Sequence, residues 1–194
     1  MNVLKKCVVV TVMIMVVFGG FLVAEEKKDE KTELKEAALD ALLMMESKKA
    51  LPIVKKILTG NSSQKMKKKA IFILSQQDSK EALPLMIKIA KTDQDPKLKK
   101  QAIFWLSQMK AEESVDALLE IYETAKEEKI KKSILFGLSQ INNDKAFNKL
   151  KDIAMNEKEI KIRKQAIFWI GQTNRKDALA ILKQVMNSDA PTKV

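Results

Sequence analysis

The stretch KLKKQAIFWLSQMKAEESVDALLEIYETA, residues 97–125, sets the reading of the whole chain. Steps of 32 residues from Ala102 reach Ala70 and Ala38 upstream, and Ile134 and Ala166 downstream. The next column reads Leu39, Ile71, Ile103, Leu135 and Ile167, and a third reads Leu42, Leu74, Leu106, Leu138 and Ile170. Ser75, Ser107, Ser139 and Gly171 also align, each followed by a glutamine: Gln76, Gln108, Gln140 and Gln172. Five copies keep one register with no insertion, which is the signature of a repeat architecture.

Each copy divides into two helices of about 11 to 13 residues with apolar residues at helical spacing. The first helices are predicted over 33–45, 65–77, 97–109, 129–141 and 161–173, the second over 48–58, 80–91, 112–124, 144–155 and 176–186. In the middle copy Val115, Leu118, Ile121 and Tyr122 share one helical face. Asp95 ahead of Pro96 places a cap before a first-turn proline. Asn156 with Glu159 and Asn174 with Asp177 resemble capping pairs, and Gly60 sits where the first pair should stop. No stretch alternates like a strand. The fold class is therefore all-α: a solenoid of five helix pairs at a 32-residue period, over 33–64, 65–96, 97–128, 129–160 and 161–186, with a loose tail at 187–194. One pair cannot bury its own apolar face, and stacked neighbours share a continuous core. The serine and glycine column lets another helix approach closely. The glutamine column is expected to bond backbone groups between adjacent repeats.

Ahead of the repeats, MNVLKKCVVVTVMIMVVFGGFLVA spans residues 1–24. Lys5 and Lys6 precede an uncharged run ending at the small residue Ala24, the pattern of a secretory signal cleaved after Ala24. The alternative is an uncleaved inner-membrane anchor over residues 7–24, a run close to the ~20 residues that span a bilayer. Either way the expectation is export from a bacterial cytoplasm, to the periplasm or beyond. Residues 25–32, EEKKDEKT, form a charged leader expected to be a tether or a frayed first turn.

Lysine and arginine number 36 against 25 acids, a formal net charge of +11, with only Lys5 and Lys6 in the first 24 residues. Such a surface favours an anionic partner. The chain has no histidine, and Cys7 is its only cysteine. That excludes Cys/His zinc sites and a Ser-His triad, and a catalytic thiol beyond residue 24. No phosphate-cradling glycine loop and no paired acids stand out, so no enzyme, catalytic residue, metal, cofactor or small-molecule substrate is expected.

The pattern Lys161-Ile162-Arg163-x-x-Ala166-x-x-x-Ile170-Gly171-Gln172 resembles HEAT repeats, closest to the short bacterial form called PBS-lyase-type HEAT-like repeats. Arg163 matches the basic position of that form, occupied by Lys35, Lys67, Lys99 and Lys131 in the other copies. Gly171 matches its glycine, replaced by Ser75, Ser107 and Ser139. The first copy departs most, with Glu33, Glu36 and Asp40 where later copies carry lysine and phenylalanine, as suits a polar cap. The resemblance covers about residues 33–186. It implies a curved, right-handed α-solenoid that binds proteins, not lyase activity. A basic HEAT-like scaffold also resembles the DNA alkylation-repair glycosylases built from such repeats. Dispersed acids and export argue against that reading, and nucleic acid is not the expected partner.

Three features are candidates for binding. The first is a basic ridge of Lys67, Lys68, Lys99, Lys100, Lys131, Lys132, Arg163 and Lys164 at the starts of the first helices, where cations oppose the helix dipole. It could hold a polyanion, an acidic glycan or nucleic acid, and the alternative is a self-paired solvated surface. The second is the column Phe72, Phe104, Phe136 and Phe168, either an exposed ladder or packing between neighbouring first helices, with packing favoured because four exposed phenylalanines would form a large apolar patch. Trp105 and Trp169 are expected in the core. The third follows from the resemblance, which puts second helices on the concave face. There Ile87 and Leu119, with Lys88, Glu120 and Lys151 around them, would form an apolar anchor inside a polar rim. The leading expectation is a cell-envelope protein-interaction scaffold gripping an acidic protein, touching membrane only through its N-terminal segment.

Overall fold

A computed structural model describes residues 30–77, 80–109 and 112–187. Their regular structure is entirely helical: α1 (Glu30–Leu42), α2 (Ser47–Thr59), α3 (Gln64–Ser75), α4 (Ala82–Thr92), α5 (Pro96–Gln108), α6 (Glu112–Thr124), α7 (Glu128–Gln140), α8 (Asp144–Asn156), α9 (Ile160–Gln172) and α10 (Ala178–Asn187). The architecture is an α-solenoid of helix pairs. Each helix falls within about a turn of its expected place. The proposed signal or anchor at 1–24 lies outside the described residues, as do residues 25–29 of the leader and residues 188–194 of the tail. Glu30, Lys31 and Thr32 are not a tether but the opening turn of α1.

The chain divides into two units, residues 1–37 and 38–194. In the first, the described residues are the beginning of α1, with Glu30 and Glu33 in its first turn, where the helix dipole favours acids.

In the second unit, α3, α5, α7 and α9 pack side by side as one layer, and α4, α6, α8 and α10 as another. Each second helix also packs against the first helix that follows it: α2 on α3, α4 on α5, α6 on α7 and α8 on α9. Every substantial helix contact lies within a repeat or between neighbours. The column Ala70, Ala102, Ile134 and Ala166 is fully buried, as are Val54, Met86, Leu118 and Leu150 on the second helices. Each larger member contributes up to about 1.5–3 kcal/mol by leaving water. In the last pair Ile167 and Leu182 are only half-buried, because only one described neighbour stacks on them.

Several boundaries have a local cause. The Asp95 carboxylate accepts from the Lys97 amide at 2.8 Å, with Pro96 in the first turn. The Ser63 hydroxyl accepts from the Met66 amide, and the Asn143 side chain accepts from Lys145 and Ala146. At Gly60 a Cβ would meet the Lys56 carbonyl oxygen at 2.7 Å, so glycine is needed for the chain to leave α2 as it does. Two expected capping pairs are not formed. Asn156 ends α8 and donates to Asp152, while Glu159 precedes α9 with no side-chain cap bond. At the other turn α10 starts at Ala178, and the Asp177 carbonyl accepts its first helical bond, leaving Asn174 too far upstream.

The small-residue column works differently from its sequence reading. The hydroxyls of Ser75, Ser107 and Ser139 bond back to the carbonyls of Phe72, Phe104 and Phe136. The glutamines do not bridge repeats: Gln76, Gln108 and Gln140 each donate to the serine before them. That serine oxygen is the nearest acceptor once its own proton is committed to the helix backbone. Glutamines at other positions do bridge repeats: the Gln101 amide donates to the Lys68 carbonyl at 2.9 Å, and the Gln64 amide donates to Asp95. The close helix approach is at Gly137, where a Cβ would stand 3.1 Å from Ser107 Cβ, whereas at Gly171 the nearest atom would be Leu182 Cδ1 at 3.9 Å. The two glycines should therefore respond oppositely in urea denaturation. Gly137→Leu should wedge α5 from α7 and lower stability by about 1–3 kcal/mol. Gly171→Ala should raise it by about 0.5–1 kcal/mol through helix propensity.

Candidate docking face of the first helices

The phenylalanine column and the two tryptophans form one ladder across the first-helix layer. Phe72 packs on Trp105 at 5.3 Å, Trp105 on Phe104 at 5.0 Å, Phe104 on Phe136 at 6.4 Å, Phe136 on Trp169 at 5.1 Å and Trp169 on Phe168 at 4.9 Å. Phe72 and Phe136 each pack on the next repeat's residue in the column Trp105, Gly137, Trp169. Where that residue is Gly137, the Phe104 ring meets Phe136 instead, and the two stack at an interplanar angle of 5°. The expected packing between neighbouring first helices is present, yet it does not hide the column. Phe104 is 39% and Phe168 52% exposed, and Phe72 and Phe136 are half-buried. Trp105 and Trp169 are half-buried against the core, and their indole N–H groups are buried with no hydrogen-bond partner.

The basic ridge splits into two columns. One turns toward the second helices: Lys131 pairs with Glu159 at 3.0 Å and Glu157 at 3.7 Å, the Arg163 guanidinium donates to the Ala154 carbonyl, and Lys99 lines a cavity with Lys91, Ile121 and Glu127. Lys67 in this column is half-buried. The other column, Lys68, Lys100, Lys132 and Lys164, sits one helical turn before each phenylalanine. Lys100 and Lys132 border a recess of about 360 Å³ with Phe104, Ser133, Phe136, Gln165 and Trp169. Lys132 pairs with Glu128 on its own helix, while Lys68, Lys100 and Lys164 have no ion-pair partner among the described residues. Glu128 is the only acid within α3, α5, α7 and α9.

One second helix has the opposite charge. α6 carries Glu112, Glu113, Asp116, Glu120 and Glu123 and no base. Its flanks neutralise it: Lys91 of α4 meets Glu120 at 2.6 Å, Lys149 of α8 meets Glu123 at 2.6 Å, and Lys145 pairs with Asp116. Arg175 continues the series to Asp144 at 2.6 Å. The acids at Asp116, Glu120 and Glu123 are thus engaged between repeats, whereas Lys68, Lys100 and Lys164 on the first helices have no such partner among the described residues.

Two overlapping stretches, residues 53–139 and 83–168, match the family described as HEAT repeats and together cover more than half the chain. The chain belongs to the HEAT-repeat family. No curated protein matches its sequence. HEAT repeats generally mediate protein–protein interaction or scaffolding, and such helical solenoids are typically non-enzymatic.

In this HEAT-repeat chain the anchor expected on the second helices is not an open apolar spot. Ile87 and Leu119 are half-buried and packed against the core. Lys88 and Lys151 are exposed, and Glu120 is engaged by Lys91. Sequence reading missed the joint ladder because it treated Phe104 and Trp105, adjacent in sequence, as belonging to opposite sides. The available signal was the second aromatic pair two repeats, 64 residues, apart, Trp105 and Trp169.

One polar cluster locks the repeats beneath this face. The buried Tyr122 hydroxyl donates to Glu157 Oε2 at 2.5 Å. Lys131 and Lys149 lie 5.5 and 5.4 Å from its ring centroid. Burial, then the Glu157 carboxylate, pushes the Tyr122 hydroxyl up and keeps it protonated. Burial opposes ionisation of Glu157 too, but the Tyr122 hydroxyl, nearby amides and Lys131 outweigh it and hold the carboxyl below its ordinary 4.5. A depressed carboxyl stabilises the fold fully above that value, and the contribution is lost as pH falls through the folded value. Tyr122→Phe should therefore cost about 1.5 kcal/mol at pH 7. The gap from wild type should close as pH drops below 4.5, measured by urea melts across pH.

Proposed function

We propose that this chain is a non-enzymatic scaffold of the cell envelope that holds a partner protein on the ring-and-lysine face of its first helices. The observation that carries the reading is the contrast between the layers. On the second helices the acids of α6 are tied to neighbouring lysines through Lys91–Glu120, Lys149–Glu123 and Lys145–Asp116. The first helices carry Lys68, Lys100 and Lys164, with no ion-pair partner among the described residues, beside partly exposed Phe104 and Phe168. Partly exposed aromatics beside a basic rim have the composition of a docking surface. The charge selects an acidic partner and raises the association rate. Export rests on residues 1–24, where Lys5 and Lys6 lead an uncharged run to Ala24.

Affinity capture from cell-envelope extract tests the face. Wild type should retain a specific protein. The variant Lys68→Glu/Lys100→Glu/Lys164→Glu should lose it while its circular dichroism melt is unchanged, and so should Phe168→Asp. Ile87→Asp/Leu119→Asp, which strikes the second-helix column, should lower the melting temperature, because both side chains pack on the core. Capture that survives both first-helix variants would refute the proposed face. Capture that heparin alone abolishes, with no protein retained, would replace it with a polyanion site. The export part is checked by mass spectrometry of the protein from cells: a mature form starting at Glu25 or a membrane-bound full chain is expected, and a free cytosolic chain starting at Met1 would refute it.

A further inference from the structure

We infer that the ring-and-lysine face takes an acidic peptide segment in polyproline II conformation, laid across the first helices with an acid at every third residue. This rests on the reading of that face as the docking surface and names what it docks. The first argument is chemical. Phe104 and Phe136 lie parallel, at an interplanar angle of 5° and with centroids 6.4 Å apart, and each also packs on a tryptophan, Trp105 and Trp169. Ring edges carry the positive side of the aromatic quadrupole, and Lys100 and Lys132 stand beside these rings at the recess. Edge and ammonium both favour a carboxylate. Stacking of nucleic-acid bases needs open ring faces, and here Phe104 and Phe136 each already pack on two other rings. A lipid surface needs apolar groups that project beyond the lysines, and here Phe104, Phe136 and Trp169 line a recess of about 360 Å³ instead.

The second argument is spacing. α3, α5, α7 and α9 lie side by side, and packed helices stand about 8–10 Å apart. The lysine column Lys68, Lys100, Lys132, Lys164 recurs once per helix, so it repeats at about that interval. A polyproline II segment has three residues per turn at 3.1 Å each, and its side chains return to one face about every 9 Å. A β-strand returns every second residue, about 6.8 Å, and falls out of step with the lysines. Polyproline II segments also carry a small ordering cost and dock on aromatic-lined grooves, which suits a ladder of five ring contacts crossing the helices.

Fluorescence anisotropy with the purified full chain tests this. The probes are a labelled 12-residue peptide of four Glu-Pro-Pro triplets, the same composition with its four glutamates contiguous, and a helical peptide with glutamates every seventh residue. Vesicles of phosphatidylglycerol and a single-stranded oligothymidine are added controls. The triplet peptide should bind about tenfold tighter than the contiguous one, the scale of a few exposed ion pairs acting together. Lys100→Glu/Lys164→Glu should remove that preference, and Phe168→Ala should weaken binding of the triplet peptide with folding intact. Equal binding of both proline peptides overturns the register, and tighter binding of the helical peptide, the vesicles or the oligonucleotide overturns the occupant. If either happens while the lysine variants still lose the captured protein, the docking face stands and only this inference fails. If the capture experiment fails as well, both fall together.

Discussion

The apolar face of a single helix pair cannot be covered by that pair. Ala102, Ile103 and Leu106 of α5 are fully buried because α3, α4, α6 and α7 close over them. The same holds for Ile134, Leu135 and Leu138 one repeat later. Everything else in the described structure is arranged around this mutual covering. The side chains that mediate it must be small or apolar at fixed intervals, which is why the period survives with no insertion. Gly137 shows how tight the constraint becomes: α7 approaches α5 closely enough that a single added carbon would press on Ser107.

Once packing has fixed the two layers, polar residues sort by what each layer leaves free. Second helices lie near enough for lysines of one to reach acids of the next, and these pairs tie neighbouring repeats together. Each exposed pair adds little by itself. Their larger effect is to remove the paired acids of α6 from competition for an outside partner. First helices offer no comparable acids, so their lysines stay beside the rings. The buried Tyr122–Glu157 bond, flanked by Lys131 and Lys149, joins α6 to the turn between α8 and α9 and holds adjacent repeats in angle.

The helices were legible in the sequence because 32-residue columns report burial directly. Ala70, Ala102 and Ala166 could be assigned to the core without coordinates, and so could the Asp95–Pro96 start. Which face carries the candidate site was less legible. A helical wheel gives the direction of Phe104 from its own axis, but not how far the next helix stands from it. Phe104 is partly exposed and packed at once, because Trp105 and Phe136 cover only part of its ring. The glutamine column misled for a related reason. Periodicity shows that Gln76, Gln108 and Gln140 occupy equivalent places, but not that each finds its acceptor one residue away in its own serine. The ridge divided because side chains one residue apart on a helix point about 100° from each other. Lys131 thus dives toward Glu157 and Glu159 while Lys132 stays beside the rings.

That every substantial contact runs only to the next repeat has a mechanical meaning. Over residues 38–194 the interfaces are joined in series, like the coils of a spring. A tensile load would pass through each of them in turn, and a small rotation at each would add up to a large displacement between distant repeats. Among the described helices no substantial contact between remote repeats resists such a stretch. Compliance of this kind lets a rigid ladder of rings change its pitch slightly along its length, and it sets the weakest interface, rather than the average one, as the point where the array first gives way.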